Sequence, residues 1–282
     1  IPFLQPGAAM EYALSTAIKK ISIDDKPVIG FLTGHGEPSL TEMSQANEQL
    51  GVLYTTREIV LTDSTSIPEE ISTVALIRPT DSIPSSHLQQ LDAFLEKGGR
   101  MLIALNSVEA DFRTRYGSSQ NIGLKPWLRQ KGIDVQDNFV VDAQCGSVSV
   151  PQQLGIFTVQ ANVSFPFVAV VSTFADHAIT SGLETVMLEF ASEVRFTGDS
   201  TKKFYPLAFS SAQSDALPAP QFFDVNKEWT ENDFPKEHIP VAAAIEGNPI
   251  KMVVVADGDF AVNGPPQEAR SLQPDNVSLL SN

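Results

Sequence analysis

Residues 26–42, KPVIGFLTGHGEPSLTE, decide how the fold is read. Residues 27–32 are a short apolar run with β-branched and aromatic character, as a buried strand requires. Thr33-Gly34-His35-Gly36-Glu37-Pro38 breaks the run. Ser39-Leu40-Thr41-Glu42 then has capping-box spacing: a hydroxyl for the backbone three residues on, and a carboxylate able to reach back. It predicts a helix with Leu40, Met43, Ala46 and Leu50 on one face, stopped at Gly51. Buried strand, glycine turn and capped helix make the first half of a βαβ unit. The turn, with His35 and Glu37 in it, falls at the carboxyl end of the strand, where open α/β sheets hold their ligands.

The pattern continues on both sides. Upstream, residues 7–22 read as a helix with Met10, Leu14, Ile18 and Ile21 on one face, and Lys19 and Lys20 in the last turn, where cations suit the helix dipole. Downstream, residues 56–61 and 74–77 read as strands, the second closed by Arg78-Pro79. Ser85 or Ser86 caps a helix with Leu88, Leu91, Phe94 and Leu95 inward, ended by Gly98-Gly99. Residues 101–105 read as a strand closed by Asn106. Continuous apolar strands between capped helices predict an α/β fold, a doubly wound and mostly parallel sheet.

A short helix over 124–131 and a strand over 139–141 follow. From 143 to 247 short β-rich runs alternate with Pro, Ser and Asn, as in a mainly β insertion or second subdomain. Within it, residues 215–240 read as an exposed loop, rich in Pro, Asp and Glu. Residues 240–246 and 251–256 read as paired strands, the second returning to the central sheet and ending in Asp257-Gly258-Asp259. The expected division is a core with an N-terminal helix at 1–142, the β-rich part at 143–247, and a closing strand with a C-terminal segment at 248–282.

Composition narrows the function. The 282 residues are 42% hydrophobic and 19% charged, with a net charge of −15 and a pI near 4.6. So acidic a chain is repelled by phosphate backbones, which argues against nucleic acid as a partner. The single cysteine, Cys145, excludes an internal disulfide and a multi-thiolate metal site. No apolar run reaches the roughly 18 residues of a membrane helix. The abrupt start at Ile1 and stop at Asn282 read as a soluble piece of a longer chain.

Catalytic and cofactor templates fail one by one. Gly34-x-Gly36-x-x-Ser39 lacks the third glycine of a dinucleotide fold, and its helix starts too late. His35-Gly36-Glu37 matches the H-x-E of zinc deaminases, but one cysteine cannot supply their paired cysteines. The phosphate-loop and nucleophile-elbow motifs are absent. Cys145, with His177 or His238, leaves a cysteine hydrolase as a remote alternative. Asp257 and Asp259 read as caps of a turn rather than a metal pair. No cofactor, metal or catalytic residue is therefore expected. One constellation remains: His35, Arg78, Asn106 and Asp257 each follow a predicted strand, and such strand ends should line one crevice. With Glu37, Asp259 and Asn263 they are the candidate ligand- or partner-binding residues.

The chain resembles the gliding-motility-associated ABC-transporter auxiliary (GldG-like) family. The likeness rests on EYALSTAIKK from Glu11, VIGFLTGHGE from Val28, NFVVDAQC from Asn138, HAITSGL from His177 and VVVADGDFAVN from Val253. It implies a flavodoxin-like or class I glutamine amidotransferase-like core without the amidotransferase nucleophile. It implies an extracytoplasmic (periplasmic) domain anchored by membrane helices outside this chain, with ABC permease and ATPase subunits as partners. The function expected is a non-enzymatic auxiliary domain acting through protein or polymer contacts. The alternative is a small-molecule or glycan-binding module using the crevice.

Overall fold

The computed structural model describes residues 26–63, 65–111, 114–154 and 157–282. The helix expected over 7–22 lies outside them.

The central sheet has eight strands. In chain order its members are β1 (Val28–Thr33), β2 (Thr55–Val60), β3 (Ile71–Ile77) and β4 (Arg100–Ala104), then β11 (Thr173–Phe174), β14 (Lys203–Phe209), β17 (Pro240–Glu246) and β18 (Lys251–Val255). The order across the sheet is β11-β14-β17-β18-β4-β3-β1-β2. Neighbours from β18 to β2 are parallel, in the registers Val254 opposite Ile103, Val74 opposite Met101, Gly30 opposite Val74 and Ile29 opposite Thr56. The strand β18 thus returns to the central sheet as expected, and its parallel neighbour there is β4. β17, β14 and β11 extend the sheet antiparallel.

Ten more strands build smaller antiparallel sheets: β5 (Val108–Asp111), β6 (Tyr116–Ser119), β7 (Ile133–Val135), β8 (Asn138–Asp142), β9 (Cys145–Leu154), β10 (Phe157–Val171), β12 (Val186–Glu189), β13 (Val194–Phe196), β15 (Ser214–Pro218) and β16 (Gln221–Phe222). Four α-helices are described: α1 (Ser44–Leu50), α2 (Ser85–Glu96), α3 (Leu124–Lys131) and α4 (Pro274–Ser281).

The doubly wound, flavodoxin-like or amidotransferase-like core expected from the sequence is not what forms. The chain is β-rich, with a mixed eight-stranded sheet and small antiparallel sheets around it. The crossover from β2 to β3 carries no helix, and the path from β4 to β18 runs mostly through strands. The exposed loop expected over 215–240 is also corrected: its first residues are β15, paired along β8, and β16, paired with β6.

Two apolar layers sandwich the sheet. On one face Leu32, Leu76, Ile103 and Val254 pack with Leu91, Phe94 and Leu95 of α2 and with Trp127 and Leu128 of α3. On the other Phe31, Ile77, Ala104 and Val255 pack with Ala46 and Leu50 of α1 and Leu279 and Leu280 of α4. Burial of this kind stabilises by about 25 cal/mol per Å² of apolar surface. A third, aromatic cluster of Phe139, Phe165, Phe167, Phe223 and Phe234 joins the smaller sheets.

Candidate functional site

β1, β3, β4 and β18 present their carboxyl ends along one rim, because they run parallel. Arg78, Asn106 and Asp257 follow the last three, and the structure brings them together with Asp259. Asn106 donates from Nδ2 to Asp259 Oδ2 at 2.7 Å, and its Oδ1 accepts the Gly258 N–H at 2.6 Å. Arg78 Nε lies 2.8 Å from Asp259 Oδ1. That contact is ionic, since the N–H is not aligned for a hydrogen bond. Arg78 reaches this position with φ at 48°, a left-handed conformation that is costly for any residue with a Cβ and persists only where the surroundings fix it.

Asp257 is fully buried. Its Oδ1 accepts the Asp259 N–H and its Oδ2 the Glu189 N–H, both at 2.7 Å. Burial pushes its carboxyl well above the usual range, the neighbouring charge of Asp259 pushes the same way, and the two N–H bonds oppose. Asp257 is therefore a turn cap, tying the end of β18 to β12.

Arg270 closes the arrangement. It donates from Nε to the Val262 carbonyl at 2.9 Å, from Nη2 to the Asp259 carbonyl at 2.6 Å, and from Nη1 to Glu189. Asn263 lies on the α1 side. Its Nδ2 donates to Gln45 Oε1 at 2.6 Å and to the Arg270 carbonyl at 2.9 Å. Its backbone N–H reaches the Glu42 carbonyl.

His35 and Glu37 form a second cluster, separate from the first in its side-chain contacts. Glu37 accepts the His35 backbone N–H at 2.6 Å and His35 Nδ1 at 2.9 Å. His35 Nε2 meets His87 Nδ1 at 2.8 Å. His87 leans towards Asp63, 4.0 Å from its Nε2, and Ser86 donates to the same carboxylate. Burial raises the Glu37 carboxyl, but the hydrogen bonds from His35 outweigh it and hold the group below its usual range. The His35 carbonyl accepts both the Thr80 and Asp81 N–H groups, so the turns after β1 and β3 are sewn together. Gly36 makes that approach possible, since a Cβ there would lie 1.9 Å from Thr80 Oγ1.

Sequence reasoning missed His87, Asp63, Arg270 and Glu189. His87 alone carried a signal: it is one of four histidines and sits in the first turn of a helix following an adjacent strand. Among the described residues no group of three or more His, Cys, Asp or Glu side chains is placed to hold a metal.

Cys145 lines a cavity of about 650 Å³ with Trp229, Lys227 and Phe234, and no histidine stands among its lining residues. Burial pushes its thiol up, the Asp142 charge adds to this, and a bond with the Phe165 backbone opposes it. A raised thiol is a poor nucleophile near neutrality. His177 is engaged elsewhere, accepting the Ile179 N–H and packing against Tyr205.

These features define a β-rich protein with a mixed central sheet and a rim whose charged groups are spent largely on one another. The chain belongs to the family described as an ABC-type uncharacterized transport system, whose model matches residues 26–280. The family is one of auxiliary components of ABC-type transport. No curated protein matches the chain. Among solved structures, an IFT52 N-terminal domain is similar, with a TM-score of 0.59 and 13% identity, over 89% of this chain and 93% of that one. A ThuA-like protein from Parabacteroides merdae ATCC 43184 is similar with a TM-score of 0.50 and 11% identity, over 91% and 88%. At these identities the likeness is one of fold alone.

Proposed function

We propose that this chain is a non-enzymatic, extracytoplasmic component of its ABC transport system, and that it works by holding another protein chain. The observation behind this is the hairpin of β9 and β10. Among the described residues, its residues 147–154 and 157–164 pair only with each other, whereas the base of β10 also pairs with β12. No charged residue occurs from 143 to 174, in a chain of net charge −15. Alternation puts Val148, Val150, Val159, Ala161 and Val163 on one face, and Val159 is 38% exposed. A lone two-stranded ribbon is marginal in water, and open edges without charges invite another strand. Such an arm suits contact with a protein partner, with permease and ATPase subunits the partners implied by the family. The rim supports the same reading, because its carboxylates and guanidinium groups already neutralise one another. A link to gliding motility rests on sequence resemblance alone.

The test is co-purification of the full-length protein with its permease and ATPase from membranes. Val150→Glu with Val159→Glu should abolish recovery while leaving the melting temperature unchanged. Failure of the parent to recover either subunit, or full recovery by the double variant, would overturn the reading.

A further inference from the structure

A cavity of about 590 Å³ is formed by α3, the segment after β6, and the strands β7, β8 and β15. Its size is usual for a small-molecule site, which runs to roughly 300–1,000 Å³. None of the rim residues lines it. Lys125 and Arg129, one turn apart on α3, supply its cations; Asp134 on β7 and Asp137 just before β8 supply its carboxylates. The charges are joined in pairs. Arg129 donates from Nε and Nη2 to Asp134 at 2.6 and 3.2 Å, and Lys125 is ion-paired with Asp137. Buried Ser107 bonds both members of the second pair, at 3.2 Å to each. Groups held in this way are in place before any ligand arrives.

Gln120, which follows β6, also lines the cavity. Its Oε1 is buried and accepts no hydrogen bond from the described residues. Buried acceptors are normally paired, so Gln120 offers a place for a donor. We propose that this cavity binds a neutral carbohydrate, with Gln120 Oε1 accepting from one of its hydroxyls. Charge selects the neutral ligand. An anion drawn to Lys125 or Arg129 meets the carboxylate already beside each, and a cation meets the reverse. No aromatic ring lines the cavity, so a nucleobase has no face to stack on. Donors and acceptors are left over side by side. Among the described residues Arg129 Nη1 and the Asn121 N–H₂ donate to nothing, and Asp137 Oδ2 accepts nothing. A hydroxyl donates and accepts at once, so neighbouring hydroxyls of one sugar ring match that mixture. Pro126, Val135 and Pro218 supply apolar surface for the C–H groups of the ring.

The test lays the full-length protein on an array of neutral oligosaccharides of the gluco, galacto, manno and N-acetylhexosamine series, with anionic glycans beside them. At least one neutral glycan should be retained, and the same sugar in solution should displace it. Gln120→Met keeps the side-chain length and removes the acceptor, and should weaken that binding about tenfold, the worth of one hydrogen bond. The melting temperature of the free protein should not fall, because Oε1 has no partner to lose. Ser119→Trp, at an exposed lining position, should fill the cavity and abolish retention. Retention of no neutral glycan, retention of anionic glycans alone, or undiminished binding by both variants would overturn the proposal. No lining residue belongs to the β9–β10 arm, so the two proposals fail separately.

Discussion

His35 Nε2 and His87 Nδ1 meet at 2.8 Å, with their rings edge to face at 76°. The two residues are 52 positions apart, and His35 is only 3% exposed. Because Glu37 takes the proton on His35 Nδ1, the His35 Nε2–His87 Nδ1 contact needs one further proton between those two nitrogens. His87→Ala leaves His35 Nε2 buried without a partner, and should lower unfolding free energy by about 1–3 kcal/mol. His87→Asn, whose amide reaches much the same point as Nδ1, should recover most of that loss. Urea unfolding of the three proteins checks both statements.

Glu37 carries the pH dependence of this cluster. Its carboxyl is held below the ordinary 4.5, so the folded state binds fewer protons there than the unfolded state. Its stabilisation is therefore complete above about pH 4.5 and fades as pH falls through the lowered folded value. Glu37→Gln abolishes that titration and leaves one of the two His35 donors facing an N–H₂ group. The variant should be about 1–3 kcal/mol less stable at pH 7. The gap should narrow below pH 4.5, as the parent loses its advantage. Unfolding curves between pH 3 and pH 7 measure it, and a gap constant with pH would contradict the assignment.

Much of the β1 turn was legible from residues 26–42, because strand, break and helix are local. Glu42 does reach back to Ser39, accepting its N–H at 2.9 Å and its hydroxyl at 2.8 Å. Yet residues 40–43 form only a turn and α1 begins at Ser44, while the Leu40 N–H is satisfied by Glu58 on β2. The shared rim of Arg78, Asn106 and Asp257 followed from strand direction alone. Strand pairing explains the main error. β11 and β14 fall in the stretch read as a separate β-rich part, yet they extend the central sheet on its antiparallel side, and hydropathy does not record which neighbour a buried strand takes. Arg270 was invisible for another reason: its carboxylate partner Glu189 stands 81 positions away and is brought near only once the sheets have formed.

Gly36 and Gly264 allow packing to be separated from backbone strain. Both have positive φ, 78° and 88°. A Cβ on Gly264 meets nothing within 4 Å, whereas one on Gly36 runs into Thr80 and Asp81. Gly264→Ala should cost about 1–2 kcal/mol, the left-handed penalty alone. Gly36→Ala adds a clash that parts the β1 and β3 turns, and should cost about 1–3 kcal/mol more. Thermal unfolding in parallel gives the difference, and equal losses would mean that the turns yield without cost.

Asn276 in α4 acts as a short length of strand. Its Oδ1 accepts the Met187 N–H at 2.9 Å, and its Nδ2 donates to the Met187 and Phe260 carbonyls at 2.7 and 2.8 Å. It thereby closes the outer edge of β12 with a side chain, and it is 3% exposed. Asn276→Asp changes few atoms but turns a double donor towards two carbonyl oxygens into a carboxylate. A buried charge facing acceptors should cost about 3–5 kcal/mol at pH 7. The new carboxyl has its folded pKa raised, so the native state binds the extra proton and the loss shrinks as pH falls towards the ordinary carboxylate range. This slope is opposite in sign to that of Glu37. Asn276→Asp should therefore gain stability relative to the parent on acidification, by the same unfolding measurement in which the parent's advantage over Glu37→Gln fades.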